Sequence, residues 1–332
     1  MSRPLPCRDD LWESRDAEEW RSRYLESLAQ STNSQPTSLA SVLGGLLDGQ
    51  QILHHIGNLG RLAIVHAIYQ TTFDLRAQTD NPLLGGLLEE GQGRSAVGKT
   101  TTVFSNWQAR AALLLETILS ATAVTGRGMA LLQSQHSPSW RLQLSVTASA
   151  YHVSLVNIVP VGDLLAYVSS TATMAEKADA EAELRAWMAD NGGRTARRAA
   201  VRASITFALI RERPCHGFYE PVALLMSTLT LWVFNRLSTT REDGQEPGSL
   251  ANNPSAQVTL RLDHAWTAES EHLWLEAEDE NVRGYLTGVG NIKDAKSRRK
   301  LLEVACDSLS MMPAWGLSHG FAAFLSLLKD TA

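Results

Sequence analysis

The string Gly93-Arg-Ser-Ala-Val-Gly98-Lys99-Thr100 spells GxxxxGK[ST], the pattern of a loop that cradles phosphates. In such a loop the glycines let backbone amides surround the phosphates, the lysine reaches the outer ones and the Thr hydroxyl meets Mg²⁺. The motif needs a buried β-strand immediately before it. Residues 83–92 read LLGGLLEEGQ, with paired glycines, two adjacent glutamates and no β-branched residue, so a flexible loop is the better reading. A nucleotide hydrolase built on Gly93, Gly98, Lys99 and Thr100 is the alternative.

A second spelling, Gly316-Leu317-Ser318-His319-Gly320, matches the GxSxG nucleophile elbow. That elbow calls for an acid and then a histidine later in the chain, and no histidine follows His319. A tight turn between helices accounts for it. The nine histidines form no HExxH motif and no zinc spacing with cysteine. His54-His55 and Cys215-His216 are adjacent pairs, whose members point to opposite faces of a regular element. Cys7, Cys215 and Cys306 are far apart and odd in number, so neither a disulfide framework nor a metal site is expected, and no cofactor is implied.

The elements that must carry these residues repeat their apolar positions at three and four. Leu62, Val65, Tyr69 and Phe73, with Ile68 beside them, predict a helix over 60–77, and Trp107, Leu114 and Ile118 predict another over 106–124. Residues 142–158 and 222–236 give two more. Asn191, Gly192 and Gly193 end the helix carrying Leu184, Trp187 and Met188, and the next opens at about Arg194. The Pro160-Val-Gly break precedes Asp163. Only 257–263, with Val258, Leu260 and Leu262 alternating, reads as extended, and a lone strand is expected to lie on helices.

Residues 78–102 and 239–256 read as linkers, rich in Gly, Asn-Pro, Gln, Ser and Thr. The organisation expected is a main helical part over 1–238, a linker over 239–256 and a C-terminal helical segment over 257–332 packed on the same domain.

With 332 residues, 44% apolar and 20% charged, and a mean hydropathy of −0.13, the chain has the balance of a folded domain with a sizeable core. Its net charge of −5 carries no footprint for nucleic acid. The N-terminus is charged and lacks a targeting h-region. The most apolar run, 221–234, falls short of the roughly 20 residues needed to span a membrane and reads as a buried helix.

Charge does concentrate locally. Arg194, Arg197, Arg198, Arg202, Arg211 and Arg213 line one helix, and Lys293, Lys296, Arg298, Arg299 and Lys300 form a short cluster. Of these, Lys296, Arg298, Arg299 and Lys300 are the candidate nuclear signal. Glu269, Glu271, Glu276, Glu278, Asp279 and Glu280 read as a solvated face.

Several segments, in order, carry a resemblance. They include Leu5-Pro6-Cys7 with Leu11-Trp12-Glu13 and Ala17-Glu18-Glu19-Trp20, Arg61 to Ile68 leading to Phe73-Asp74-Leu75-Arg76, and Tyr151-His152-Val153-Ser154-Leu155. Further on stand Leu184-Arg-Ala-Trp187, Tyr219-Glu220-Pro221, Leu260 to Trp266, Asn281 to Gly290 and Ala314 to Phe321. Together these resemble the fungal-specific transcription factor regulatory domain, in the form found downstream of two-Cys two-His zinc fingers.

The resemblance implies an all-α, multi-helix regulatory domain without significant sheet. It also implies a non-enzymatic role in transcription regulation, in the nucleus, in a pathway such as a secondary-metabolite gene cluster. Met1 falls at a point that resembles mid-domain, so the fingers and the opening helices are expected to be missing. A truncated gene model, a separately encoded regulator or a degenerate relative would each give that start. Implied partners are other transcription regulators or co-regulators and a small-molecule effector, with no direct DNA contact and no membrane. A non-DNA-binding modulator that dimerises with full-length activators is a further alternative. Polar residues expected to be buried on the resembling helices, His66, Asp74, His152 and Glu220, are the candidate effector ligands.

Overall fold

A computed structural model describes residues 9–12, 14–30, 38–48, 56–79, 95–122, 138–239, 258–264, 268–276, 282–312 and 316–330. These are dominantly helical, in agreement with the all-α expectation, and they fall into two compact units, Met1–Asn157 and Ile158–Ala332. The expected linker over 239–256 lies outside the described residues except for Thr239.

In the first unit the helices are α1 (Asp9–Trp12), α2 (Ala17–Gln30), α3 (Leu39–Leu47), α4 (Asn58–Thr79), α5 (Ser95–Thr122) and α6 (Pro138–Ile158, whose last residue opens the second unit). The stripes read from the sequence face one another, except at Phe73, which the spacing assigns to the α4 stripe and which is exposed instead. Ile64, Val65 and Ile68 of α4, Leu114, Leu115 and Ile118 of α5, and Val146, Ala150 and Val153 of α6 make one core. Polar groups close its edges. Thr72 is buried on α4, donates to the Ile68 carbonyl one turn back at 2.8 Å and accepts from Trp107 Nε1 of α5 at 2.9 Å. Gln108 and Asn157 exchange side-chain-to-carbonyl bonds between α5 and α6 at 3.0 and 3.2 Å. Asp9 caps α4 from far away in sequence, accepting from the amides of Asn58 at 2.6 Å and Leu59 at 3.3 Å. On α2, by contrast, Trp20 and Tyr24 stack at 5.0 Å, and with Leu25 they are exposed.

Residues 95–102, expected to belong to a linker, are helical, because α5 starts at Ser95. The run Thr100-Thr101-Thr102 has poor helix propensity alone. Once the apolar stripe from Trp107 onward is folded, adding turns ahead of it needs no new nucleus.

The second unit contains α7 (Val161–Val168), α8 (Met174–Ala189), a 3₁₀ turn (Asp190–Gly193), α9 (Arg194–Glu212) and α10 (Glu220–Thr239). They are followed by β1 (Val258–Arg261), α11 (Ala268–Glu276), β2 (Val282–Leu286), β3 (Gly290–Asn291), α12 (Ala295–Ser310) and α13 (Leu317–Asp330). The break at Asn191, Gly192 and Gly193 falls where the sequence puts it. All three residues have positive φ, of 49°, 65° and 82°, a conformation that glycine adopts without strain. α10 is the centre of this unit, with Leu224, Leu229, Trp232, Val233 and Phe234 buried. It packs against α9 and α12, so the segment after the expected linker belongs to the same unit as α10.

The extended segment near 258 is not alone. β1 pairs in parallel with β2, Val258 opposite Val282 and Arg261 opposite Tyr285, and β2 pairs antiparallel with β3. The small sheet lies on α11. Gly284 is required there, since a Cβ at that position would stand 2.7 Å from Leu262 Cδ1 and 2.8 Å from the Trp274 ring. No single helix among the described residues is long and apolar enough to cross a membrane.

Candidate functional site

Two of the four expected effector ligands meet in the first unit. His66 of α4 and His152 of α6 lie close enough for their charges to interact, and the Tyr69 ring, one turn along α4 from His66, is 6.3 Å from the imidazole of His152. His152 is 7% exposed, and its Nδ1 is buried with no hydrogen-bond partner among the described residues. Burial first, and His66 second, depress its pKa to about 4. Burial lowers His66 as well. Both imidazoles are therefore neutral at pH 7 and present a donor and an acceptor each, not a charge.

The other two stand elsewhere. Asp74 is exposed and accepts from Gln70 Nε2 at 2.8 Å, two turns beyond His66 on α4. Glu220 opens α10 in the second unit and is 2% exposed. Its carboxylate turns back on the preceding loop and accepts from the amides of Cys215 at 2.8 Å and His216 at 3.1 Å, with Gly217 also donating. His216 is held at φ 60° in that loop. Burial raises the Glu220 pKa, and the three amides pull it down. This carboxylate clamps a loop to a helix start. Of the four, His66 and His152 meet within the first unit, Asp74 is exposed on α4, and Glu220 belongs to the second unit.

Of the phosphate-loop spelling, Gly93 lies outside the described residues. Gly98, Lys99 and Thr100 lie inside α5, three to five residues past its start at Ser95. The loop geometry that aims successive amides at a phosphate is absent from that stretch.

In the other spelling, Gly316 has φ 65° and leads into α13, as a turn requires. Ser318 is fully buried and its hydroxyl donates to the Met312 carbonyl at 3.3 Å, so it presents no surface for a substrate. No group of three His, Cys, Asp or Glu among the described residues could hold a metal ion. An open depression of about 400 Å³ in the second unit is lined by Leu165, Ala166, Ser169, Thr171, Ala172 and Glu176, none of them an expected site residue.

The basic residues divide by what they touch. On α9, Arg197 Nη1 donates to the Leu275 carbonyl at 3.0 Å while Trp274 Nε1 of α11 donates to the Arg197 carbonyl at 2.9 Å. Arg194 pairs with Glu276, and Arg211 Nη1 donates to the Thr287 carbonyl beyond β2 at 2.5 Å. These arginines hold the C-terminal segment to α9. In the second cluster, Lys296 is exposed, Arg299 and Lys300 pair with Glu303 at 3.4 and 3.6 Å, and Arg298 Nε donates to Asn235 Oδ1 of α10 at 2.8 Å. Lys296, Arg299 and Lys300 are thus at the surface, and Arg298 is built into the fold. Of the acidic run, Glu278, Asp279 and Glu280 lie outside the described residues.

Sequence reasoning missed Asn235, Trp274 and Tyr69 as contact centres. Asn235 is buried on α10 and donates to the carbonyls of Ile292 and Asp294 at 2.7 and 2.8 Å. An asparagine inside a run as apolar as 222–236 is the one available signal, because a buried amide has to find partners.

No family model matches the chain, and no solved structure matches it. The chain is 25% identical over 313 residues to a protein of Gibberella fujikuroi (strain CBS 195.34 / IMI 58289 / NRRL A-6831) described as a transcription factor. The match covers 94% of this chain and 34% of the relative, so the chain spans about a third of the relative's length. The similarity is thus to a fungal transcription factor, and it extends through both units.

Proposed function

We propose that the chain is a regulatory part of a fungal transcription regulator, acting through protein contacts. The observation that carries this reading is the similarity to a fungal transcription factor along 94% of the chain. The finer resemblance to the regulatory domain found with two-Cys two-His fingers agrees with a helical architecture in which buried polar residues tie helices together. The net charge of −5 is consistent with a part that does not itself read DNA. Residence in the nucleus follows from such a role, with Lys296, Arg299 and Lys300 as the exposed part of the import signal. Control of a secondary-metabolite gene set and binding of other transcription regulators belong to the same proposal.

The test is to fuse the full chain to a heterologous DNA-binding domain and measure a reporter, while purifying the tagged chain from fungal nuclei. A changed reporter output, nuclear co-purification with finger-bearing factors and no DNA shift by the chain alone are expected. An unchanged reporter together with exclusively cytoplasmic protein would overturn the reading. Recovery with full-length activators as mixed dimers would favour the modulator form. The nucleotide-hydrolase alternative predicts a thermal shift with Mg-ATP that Lys99→Ala abolishes.

A further inference from the structure

The depression of about 400 Å³ in the second unit lies where α7 ends and α8 begins, and the regulatory reading gives it no occupant. Its volume is within the range of small-molecule pockets. Leu165 and Ala166, from the second half of α7, and Ala172, from the connection, supply apolar lining. Leu165 is 43% exposed, so a large aliphatic side chain is left to solvent there. Ser169 and Thr171 add two hydroxyls, which hold one another at 2.9 Å.

Glu176 supplies the charge. It is the glutamate of the capping box that opens α8, and its Oε2 accepts from the amide of Thr173 at 2.7 Å and from the Thr173 hydroxyl at 2.8 Å. These bonds orient the carboxylate. The Thr173 amide first, and its hydroxyl second, also lower the pKa of Glu176, so the group is ionised at pH 7. Oε1 receives no hydrogen bond among the described residues, and Lys177, next in the chain, forms no ion pair with the carboxylate. An oriented anion with one oxygen open therefore lines the depression. The end of α7 adds to it, because the last carbonyls of a helix lack donors within the helix and carry the negative end of its dipole. The positive start of α8 is answered by its own capping box, in which the Glu176 amide donates to the Thr173 hydroxyl at 3.3 Å.

We propose that this depression binds an alkylammonium group, paired with Glu176 Oε1, with its carbon chain lying on Leu165, Ala166 and Ala172. An ammonium is all donor, and the site offers it acceptors in the open carboxylate oxygen and the Ser169 and Thr171 hydroxyls. The carboxylate is already oriented by the capping box, which reduces the ordering that binding requires. The same chemistry arrives on a free small amine or on the lysine side chain of a partner. The proposal does not depend on the regulatory reading and stands or falls separately.

The experiment follows the backbone amide NMR signals of the full chain during titration with n-butylammonium chloride and, in a second arm, with the hydrochloride of Nα-acetyl-lysine methylamide. Sodium chloride at matched ionic strength is the blank, and n-butanol supplies the carbon chain without the charge. Saturable shifts are expected at the amides of residues 169–176 in at least one amine arm, with n-butanol about fivefold weaker. Tighter binding of butylammonium assigns a free amine, tighter binding of the lysine derivative assigns a partner's lysine, and equal binding assigns the ammonium group alone. Glu176→Gln keeps the capping box, since glutamine serves at that position, and should raise the half-saturating concentration about fivefold. Leu165→Ala, at a half-exposed side chain, should raise it about threefold. Glu183→Gln, exposed further along α8, should leave it unchanged. Shifts no larger than those with sodium chloride, equal half-saturation for n-butanol and butylammonium, or half-saturation unmoved by Glu176→Gln overturns the proposal. A glutamate that only caps α8 would give that last result.

Discussion

The first unit buries one imidazole, His152, and half-buries a second, His66, whereas the second latches its C-terminal segment to α9 and α10 with side-chain-to-carbonyl bonds. In the first, His152 sits at the edge of a continuous apolar core with its Nδ1 unbonded among the described residues. In the second, Arg197 with Trp274, Asn235 with Ile292 and Asp294, and Arg211 with Thr287 join residues 57–78 positions apart. A core of the first kind resists change in volume and in charge. An assembly of the second kind fails when one of its ties is cut, since the partner is then left buried and unsatisfied.

The strongest way to break this contrast is Trp274→Ala. It removes a side chain 2% exposed, the donor to the Arg197 carbonyl and the ring against which Gly284 packs. A loss of about 4 kcal/mol is expected. Hydrogen exchange should speed across 258–291 while amides of α4 and α5 keep their protection. Equal loss in both units would show that the two regions do not differ as described.

A smaller effect sharpens the other side. Because the folded pKa of His152 is depressed to about 4 from 6.5, the unfolded chain binds more protons below neutrality. Its share of stability is complete above pH 6.5 and is lost as pH falls from there toward 4. Going from pH 7.5 to pH 5 should cost about 2 kcal/mol through this residue. Denaturant melts of the wild type and of His152→Phe check it, and the variant should show a shallower dependence. Glu220 works in the opposite sense, since its pKa is raised in the fold and its contribution, present at low pH, falls as pH rises above the ordinary carboxylate value. Glu220→Gln should therefore leave the acid-side loss in place.

The smallest effect concerns the turn between α8 and α9. Gly192→Ala places a Cβ at φ 65°, in open space, so backbone strain is the whole cost, about 1 kcal/mol. The same substitution at Gly162, which is helical and also open, should cost nothing or stabilise slightly. Chemical denaturation of both variants measures the difference.

Much of the fold was legible in the residues. The stripes at Leu62, Val65 and Tyr69 and at Trp107, Leu114 and Ile118 repeat at the helical period, so the helices and their inward faces follow. Asn191, Gly192 and Gly193 mark their own turn, because those residue types tolerate positive φ. The sheet was harder to read. β2, with the sequence Val-Arg-Gly-Tyr-Leu, carries an arginine and a glycine, and its alternation becomes meaningful only once Trp274 covers Gly284. His66 and His152 were selected as polar residues on helices, and their meeting depends on α4 and α6 sharing one core. Asp74 is of equal interest as a letter, yet it lies on the outer face.

Residue type and local period therefore settled where helices run and which side of each turns inward, because backbone geometry and apolar burial act over a few residues at a time. Only the tertiary structure decided which polar groups meet. Arg298 with Asn235, Arg197 with Trp274 and His66 with His152 are joined across long stretches of chain, where no spacing rule operates and packing alone determines the partner.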